Sequence, residues 1–526
     1  MTRARRYRSD ERLTKSSYVM RRGFLPFVFI VLASIVGCSG SMAPTRQPGV
    51  AGLVPDARGS TGKIQHVVII VQENRSFDNF FDCFPGTDCV KTAPGAGPPP
   101  GPHTQSSPCP DPAPTPSPGP TPKPIRLRFG TSLVSIDPDH SYCPGFIVEY
   151  DGGRMDGFYW VGGVNPTPNP AGIAPYQVVA KAQIQPYWDL ATQYVLADRT
   201  FPTQASGSFT AHQDLIRGDT KVRADASAID FPWNHPPHHK PEIENWGCDD
   251  YHKSYTPLLT SSLKYIMKGP FPCFTYATLR DTLDAKGVSW KYYVPVWPKY
   301  GGQMWNAFDA IAAVNKDKGG EWPKGSKPYT CAKSCVSWPQ TNVFCDVSPA
   351  TATSCPSAPP GGPSFPAVSW VIPDGVDSDH YSGKIDGGPD WVASVVNSVG
   401  ESPYWKSTAI VILWDDWGGF YDHVPPPQLD YQGLGFRVPM IVVSPYAKKG
   451  YVDHTQYEFG SILKFVESTF GLPSLGTTDE RANNLTNAFD FNQKPRKFVP
   501  IRLLQADHGR RYFLTRPASG KPVDTQ

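Results

Sequence analysis

Two apolar runs, far apart in the chain, each stop at side chains that bind cations. Val67 to Val71 (VVIIV) is β-branched throughout with no polar alternation, and Ala409 to Trp414 (AIVILW) is built in the same way. Such runs suit strands covered on both faces, the situation in a parallel sheet with helices on either side. Glu73 and Asn74 follow the first run after Gln72, and Asp415 and Asp416 follow the second directly. In parallel α/β sheets the ligand crevice lies beyond the carboxyl ends of the strands. Three carboxylates and one amide oxygen at two such ends make an oxygen-rich set, suited to one hard or borderline divalent metal ion of unspecified identity. Adjacent carboxylates repel, so the Asp415–Asp416 pair asks for a cation or for protons. Either segment alone reads as a strand ending in solvated polar residues; together they favour a metal site. Gly418 and Gly419 allow a tight turn and a close approach of backbone to a ligand.

The 526 residues are enough for one large α/β domain with insertions or for two domains. A net charge of +3, with Lys and Arg scattered, gives no reason to expect a nucleic-acid partner. Arg21 and Arg22 precede the apolar stretch Gly23 to Val36, and Ile35-Val36-Gly37-Cys38 places small residues just before a cysteine. The arrangement resembles a bacterial lipoprotein signal with Cys38 as the lipidated residue, and MRRGFLP (20–26) resembles a twin-arginine export signal. An ordinary secretory signal cut nearby and a membrane anchor are the alternatives, the stretch being short for a spanning helix. Both Met1 and Met20 stand as possible starts. The expectation is an exported protein of the cell envelope, in the periplasm or tied to the outer membrane by a lipid on Cys38. Eleven cysteines, ten of them beyond Cys38, fit disulfides in an oxidising compartment, with Cys83–Cys89 and Cys248–Cys273 as candidate pairs. Zinc at the cluster Cys331 to Cys355 is the rival reading, but its CxxxC spacing lacks a second pair or a nearby histidine.

Organisation follows from composition. Residues 1–38 form the signal segment, 39–60 a flexible Gly/Ser/Pro tether, 61–510 the main domain and 511–526 a C-terminal tail. Within the domain, 92–124 is a Pro-rich surface insertion unable to pack a core, and 316–364 is loop-like. Helical patterns over 186–194, 209–217, 274–286, 306–314, 390–399 and 457–470 alternate with strand-like VLADRTF, VSWKYYV, AVSWVIP and VPMIVVSP. That alternation implies an α/β fold with a mainly parallel central sheet flanked by helices and long disulfide-bonded loops.

A hydrolytic metal site needs a nucleophile. The segment QASGSFTAHQ offers Ser206, Ser208 and Thr210 at the start of a helical pattern, where helix amides favour an anion. On this segment alone a plain N-cap is the favoured role for Ser208, among the commonest for serine. His140 in DPDHS and His380 in VIPDGVDSDHYSG sit in loops and could hydrogen-bond phosphate oxygens or protonate a leaving group. His423 is close to the Asp pair and reads as support for a ligand rather than as one. The run WNHPPHHK (233–240) with His252 reads as a surface or substrate-side loop. Trp233, Trp246, Tyr292 and Trp305 could line a choline-like or lipid pocket, or simply pack.

These pieces resemble the bacterial phosphoesterase family that contains haemolytic and non-haemolytic phospholipases C and an acid phosphatase branch, a relative of the alkaline phosphatase and sulfatase fold. The resemblance is carried by HVVIIVQENRSFDNFF, DGGRMDGF, GSFTAHQ, VSWVIPD, WDDWGGFYDHVPPP and GFRVPMIVVSPYAKKGYVDHTQYEFGSILKFVE, in that order over residues 64–500. It implies an alkaline phosphatase-like sandwich, metal ligands Glu73, Asn74, Asp415 and Asp416, a nucleophile Ser208, and phosphate-contacting His140 and His380. The phospholipase C branch typically has a Thr in a TxPNR-like setting where this chain has GSF. Asp415-Asp416 stands where many lipases of the family have Asp-Glu, which looks like the acid phosphatase branch. The absence of a CxPxR segment argues against a formylglycine sulfatase. The implied activity is phosphoester hydrolysis of the phospholipase C type, with phospholipid as a candidate substrate. A phosphomonoesterase and a non-catalytic surface-anchored binding protein are the alternatives. Head group and oligomeric state stay open.

Overall fold

The strands that stop at carboxylates lie side by side. They belong to a nine-stranded sheet of the computed structural model, which describes residues 62–99, 109, 123–133, 135–164, 167–234, 247–249, 254–294, 305–317, 336–337, 342–347, 365–381 and 387–516. The signal segment with Cys38, the tether through residue 60, the histidine run after Asn234, Trp246, His252, Cys331, Cys335 and Cys355 lie outside the described residues. In chain order the strands are β1 (His66–Gln72), β2 (Val195–Phe201), β3 (Trp290–Tyr293), β4 (Val336–Ser337), β5 (Val368–Val371), β6 (Thr408–Trp414), β7 (Val438–Val443), β8 (Tyr451–Asp453) and β9 (Tyr457–Glu458). Their order across the sheet is β4-β3-β5-β1-β6-β7-β2-β8, with β9 also on β2. Only the two pairings of β7 are antiparallel.

The apolar runs are buried for the reason their composition gives. Val67 to Val71 and the whole of β6 are shielded from solvent, because helices cover both faces of the sheet. The helices that bear on the site are α1 (Phe77–Phe81), α2 (Gln185–Gln193), α3 (Ser208–Arg217), α4 (Gly388–Gly400) and α5 (Phe459–Phe470). In register, Ile69 pairs with Trp370 and Gln72 with Trp414, and residues three apart on a strand face opposite sides. Trp370 Nε1 donates to Leu215 O of α3 at 3.0 Å, whereas Trp414 packs edge-on against Tyr187 of α2 at 4.9 Å. So α3, which packs with α5, covers one face, and α2, which packs with α4, covers the other. Each aliphatic side chain buried this way contributes roughly 1.5–3 kcal/mol.

Several elements differ from the sequence expectation. The helix expected from 274 starts at Leu279, because Thr278 and Asp281 form a capping box there. The helix expected over 306–314 is broken at Ile311, which bridges Phe274 instead, leaving a short 3₁₀ turn (Ala307–Ala310) and a helix (Ala312–Asp317). Tyr457 and Glu458 extend the sheet before α5 begins. Packing also continues past 510: Arg510–Thr515 is helical with Phe513 in the core, and Arg516 forms ion pairs with Asp374 and Asp377. The Pro-rich insertion is closed at its base by Thr92–Ala93 pairing with Ile125–Arg126 and is pinned by Cys109–Cys143. Cys83–Cys89 and Cys248–Cys273 form as expected, and Cys345 is disulfide-bonded, against a zinc role for its cluster. Among the described residues no helix is long and apolar enough to cross a membrane.

Candidate active site

The parallel pairing of β1 and β6 continues beyond the sheet and fixes the acidic corner. Asp415 N donates to Gln72 O at 2.9 Å, Asn74 N to Asp415 Oδ1 at 2.9 Å, and Arg75 N to Asp416 O at 2.9 Å. Asn74 is in the left-handed region (φ 59°), which asparagine tolerates better than most residues. The two glycines after the Asp pair have φ values of 60° and 68°. A Cβ on Gly418 would stand 2.2 Å from Asn74 O, and one on Gly419 would stand 2.5 Å from Pro138 Cβ. The close approach expected toward a ligand is therefore toward Asn74 and the 138–139 backbone, and it clamps three segments together.

Ser208 completes the corner from α3. Gly207 is the N-cap, so Ser208 is the first helical residue and its hydroxyl is not used as a cap. Its Oγ lies 3.3 Å from Glu73 Oε2, 3.3 Å from Asn74 Oδ1 and 3.2 Å from Asp416 Oδ2. A hydroxyl has one hydrogen, so it cannot donate to three acceptors. The other two hydroxyls of the segment are engaged elsewhere: Thr210 Oγ1 donates to Ser206 Oγ at 3.0 Å, and Ser206 Oγ donates to Asp230 at 3.1 Å.

The histidines divide. His140 is fully buried, with Nδ1 2.8 Å from Pro138 O and Nε2 3.1 Å from Asn74 Nδ2. A carbonyl only accepts, so these partners assign the proton to Nδ1 and make Nε2 the acceptor of the Asn74 amide. That orientation turns Asn74 Oδ1 toward Ser208. His380 stands next to it, ring centroids 6.5 Å apart, on the loop that follows β5. Gln72 holds this loop, donating to Asp377 O at 3.1 Å and accepting from Asp379 N at 2.9 Å. His423 is turned away to Asp78, with Nδ1 2.8 Å from Oδ2. Tyr292 and Trp305 are core residues, Tyr292 Oη donating to Trp305 O at 2.8 Å, and the Trp305 ring packs 6.1 Å from His380.

Sequence reasoning missed His212. It is one helical turn beyond Ser208 on α3, with Nε2 2.9 Å from Glu73 Oε1 and 3.8 Å from Asp415 Oδ2. The i to i+4 step from Ser208, which places two side chains on one helix face, was the signal available.

Electrostatically the corner is unbalanced. Glu73, Asp415 and Asp416 are each fully buried. Burial first, and then Asp415 and Asp416 beside it, push the Glu73 carboxyl well above the usual range. Burial also pulls the His212 imidazole down to about 4, so it is neutral at pH 7. Asp415 Oδ2 is buried without a hydrogen bond, although buried polar atoms are nearly always paired. Glu73, His212 and Asp415 offer ligand atoms all within 4.8 Å of one another. An orphaned carboxylate oxygen and a crowd of acceptors around one hydroxyl fit a divalent cation.

The phosphoesterase family profile matches residues 64–473. This chain belongs to the phosphoesterase family. As a member it is a hydrolase acting on phosphoric ester bonds. Phospholipase C B of Mycobacterium tuberculosis (strain ATCC 25618 / H37Rv) is 25% identical to this phosphoesterase over 480 residues, 84% of this chain and 80% of its own. The non-hemolytic phospholipase C of Pseudomonas aeruginosa is 23% identical over 527 residues, 91% of this chain and 65% of its own. Among solved structures, a protein in the alkaline phosphatase superfamily from Vibrio parahaemolyticus aligns at 11% identity with a TM-score of 0.28, over 58% of this chain and 68% of that one.

Proposed function

We propose that this phosphoesterase is an exported, metal-dependent phosphodiesterase of the phospholipase C type that cleaves its substrate through Ser208. The observation that carries the reading is the placement of Ser208 Oγ at a helix N-terminus, facing Glu73, Asn74 and Asp416 within 3.3 Å. A divalent ion held by Glu73, Asn74, Asp415 and Asp416 would supply Lewis-acid polarisation of a phosphate oxygen and an acidified serine hydroxyl. Ser208 Oγ attacks phosphorus in line and passes its proton to the Asp416 carboxylate, 3.2 Å away. The leading amides of α3 face the phosphate oxygens and favour their charge. His380 protonates the departing alcohol, and water then cleaves the phosphoseryl ester to free Ser208. His140 serves through Asn74, holding the amide oxygen toward the site. Three described disulfides support export, and the lipid anchor on Cys38 belongs to the same reading.

A second reading is a phosphomonoesterase like the acid phosphatase branch, favoured by the Asp415–Asp416 pair and by a serine nucleophile. The deciding experiment offers metal-loaded protein phosphatidylcholine and p-nitrophenyl phosphate in parallel. Diacylglycerol released faster than inorganic phosphate supports the diesterase, and the reverse order supports the monoesterase. Loss of both activities on chelation, with recovery on adding metal back, is expected. Activity untouched by chelation would remove the metal from the mechanism.

A further inference from the structure

We propose that His212 Nε2 is a direct nitrogen ligand of the cation at this corner, which makes the donor set mixed and selects a borderline transition metal over Mg²⁺ or Ca²⁺. The inference deepens the metal-dependent reading and rests on it.

Ser208 and His212 lie four positions apart on α3, so the face that turns the hydroxyl to the site also turns the imidazole to it. His212 is 1% exposed, and its Nε2 stands 2.9 Å from Glu73 Oε1 and 3.8 Å from Asp415 Oδ2. Two donors about 2.0–2.2 Å from one ion lie roughly 2.9–3.5 Å apart in octahedral or tetrahedral geometry. The Nε2–Glu73 spacing is of that kind, and Asp415 is a few tenths of an ångström beyond it.

The two carboxylates point the same way. Glu73 divides its oxygens, with Oε2 on the Ser208 side and Oε1 on the His212 side. Asp415 commits Oδ1 to Asn74 N, and it is Oδ2, buried and without a hydrogen bond, that lies near the imidazole. A cation between Glu73 Oε1, Asp415 Oδ2 and His212 Nε2 would satisfy that oxygen. Imidazole suits Zn²⁺, Fe²⁺ and similar ions, whereas sites for Mg²⁺ and Ca²⁺ are built from oxygen alone. The competing role is that of a positioning residue, in which Nε2–H donates to Glu73 and only orients it. That role leaves no nitrogen on the metal.

Pulsed EPR of metal-stripped protein reloaded with Mn²⁺ alone separates the two. A coupling from directly bound ¹⁴N in the wild type is expected, lost in His212→Gln and kept in Ser208→Ala. Wild type should hold Zn²⁺ more tightly than Mg²⁺, and that preference should narrow in His212→Gln, because only a nitrogen on the metal favours the borderline ion. Absence of nitrogen coupling in Mn²⁺-loaded wild type would overturn the assignment without requiring any variant to fold. Coupling that persists in His212→Gln would transfer the nitrogen to another histidine and equally overturn it. Wild type that binds no divalent ion at all would instead sink the metal-dependent reading itself.

Discussion

The same two stretches of chain, residues 73–78 and 415–423, build two acidic clusters, and the clusters handle buried charge in opposite ways. At the first, Glu73 and Asp415 are fully buried, and the basic side chain beside them is His212, which burial keeps neutral at pH 7. At the second, the chain supplies its own cation. Arg437 Nη2 lies 2.8 Å from Asp78, its Nε 3.1 Å from Asp422, and His423 Nδ1 pairs with Asp78 at 2.8 Å. Burial works against charge on His423, yet Asp78 and Asp422 hold its imidazole above the usual value. A carboxylate cluster with an arginine of its own is a brace between α1, the loop after β6 and β7. A cluster without one is a place for a cation from outside.

The sharpest way to break this contrast is Ser208→Ala. It should lower hydrolysis of a chromogenic phosphate ester by about 10⁴-fold or more and leave the thermal midpoint in place; an unimpaired variant would remove the nucleophile. Next in size is Arg437→Met, which strands Asp78 and Asp422 and should cost about 3–5 kcal/mol in denaturant unfolding. An unchanged unfolding midpoint would mean that the second cluster is not a brace. A matched pair follows. Asp415→Asn should cut activity by about 10²–10³-fold, yet stabilise the metal-free protein by about 1 kcal/mol, because it removes one of several repelling charges. Asp422→Asn should destabilise, since it takes a partner from Arg437. Equal signs in the two melts would erase the distinction between the clusters.

The smallest effect expected is one of pH. Burial first of all holds Asp230 and Asp379 at about 6, above the usual carboxylate range. Between about pH 4 and 6 the folded chain keeps these protons while the unfolded chain has released them, so stability falls as pH rises through that window. Metal-free protein should melt at a higher temperature at pH 5 than at pH 7. Added divalent metal should raise the midpoint more at pH 7 than at pH 5, because protons on Glu73 compete with the cation. A midpoint rise that is equal at both pH values would separate Glu73 from the metal.

How much of this could be read from the chain depends on distance along it. Glu73, Asn74, Asp415 and Asp416 were legible because unalternated apolar runs fix a buried strand and its last residue. Two such ends with matching chemistry imply adjacency. Ser208 was legible as the start of a helical pattern. His212 was not, although it lies in the same motif, because its partner Glu73 is 139 positions away and composition does not reveal which helix face meets the sheet. The Asn74–His140 bond was hidden for a similar reason: it depends on a left-handed backbone at Asn74 that no local pattern demands. Tyr292 and Trp305 stayed undecided between pocket and packing, because aromatic residues near a site look alike in sequence whether they line a pocket or pack beneath it. The break at Ile311 follows from a bridge to Phe274, a pairing that helical propensity cannot anticipate.

The ion pairs of Arg516 have a consequence for handling the protein. Asp377, which takes Arg516 Nη2 at 2.6 Å, also passes its carbonyl to Gln72, the residue just before Glu73. Arg516 is thus a latch on the loop that carries His380. Trimming by a carboxypeptidase that reaches Arg516 would release that latch from a distance, and a fusion joined close behind it would strain the same catch. A preparation cut at or before Arg516 should therefore be judged by turnover, since a mass or a melting curve would record the cut without showing what it unfastened.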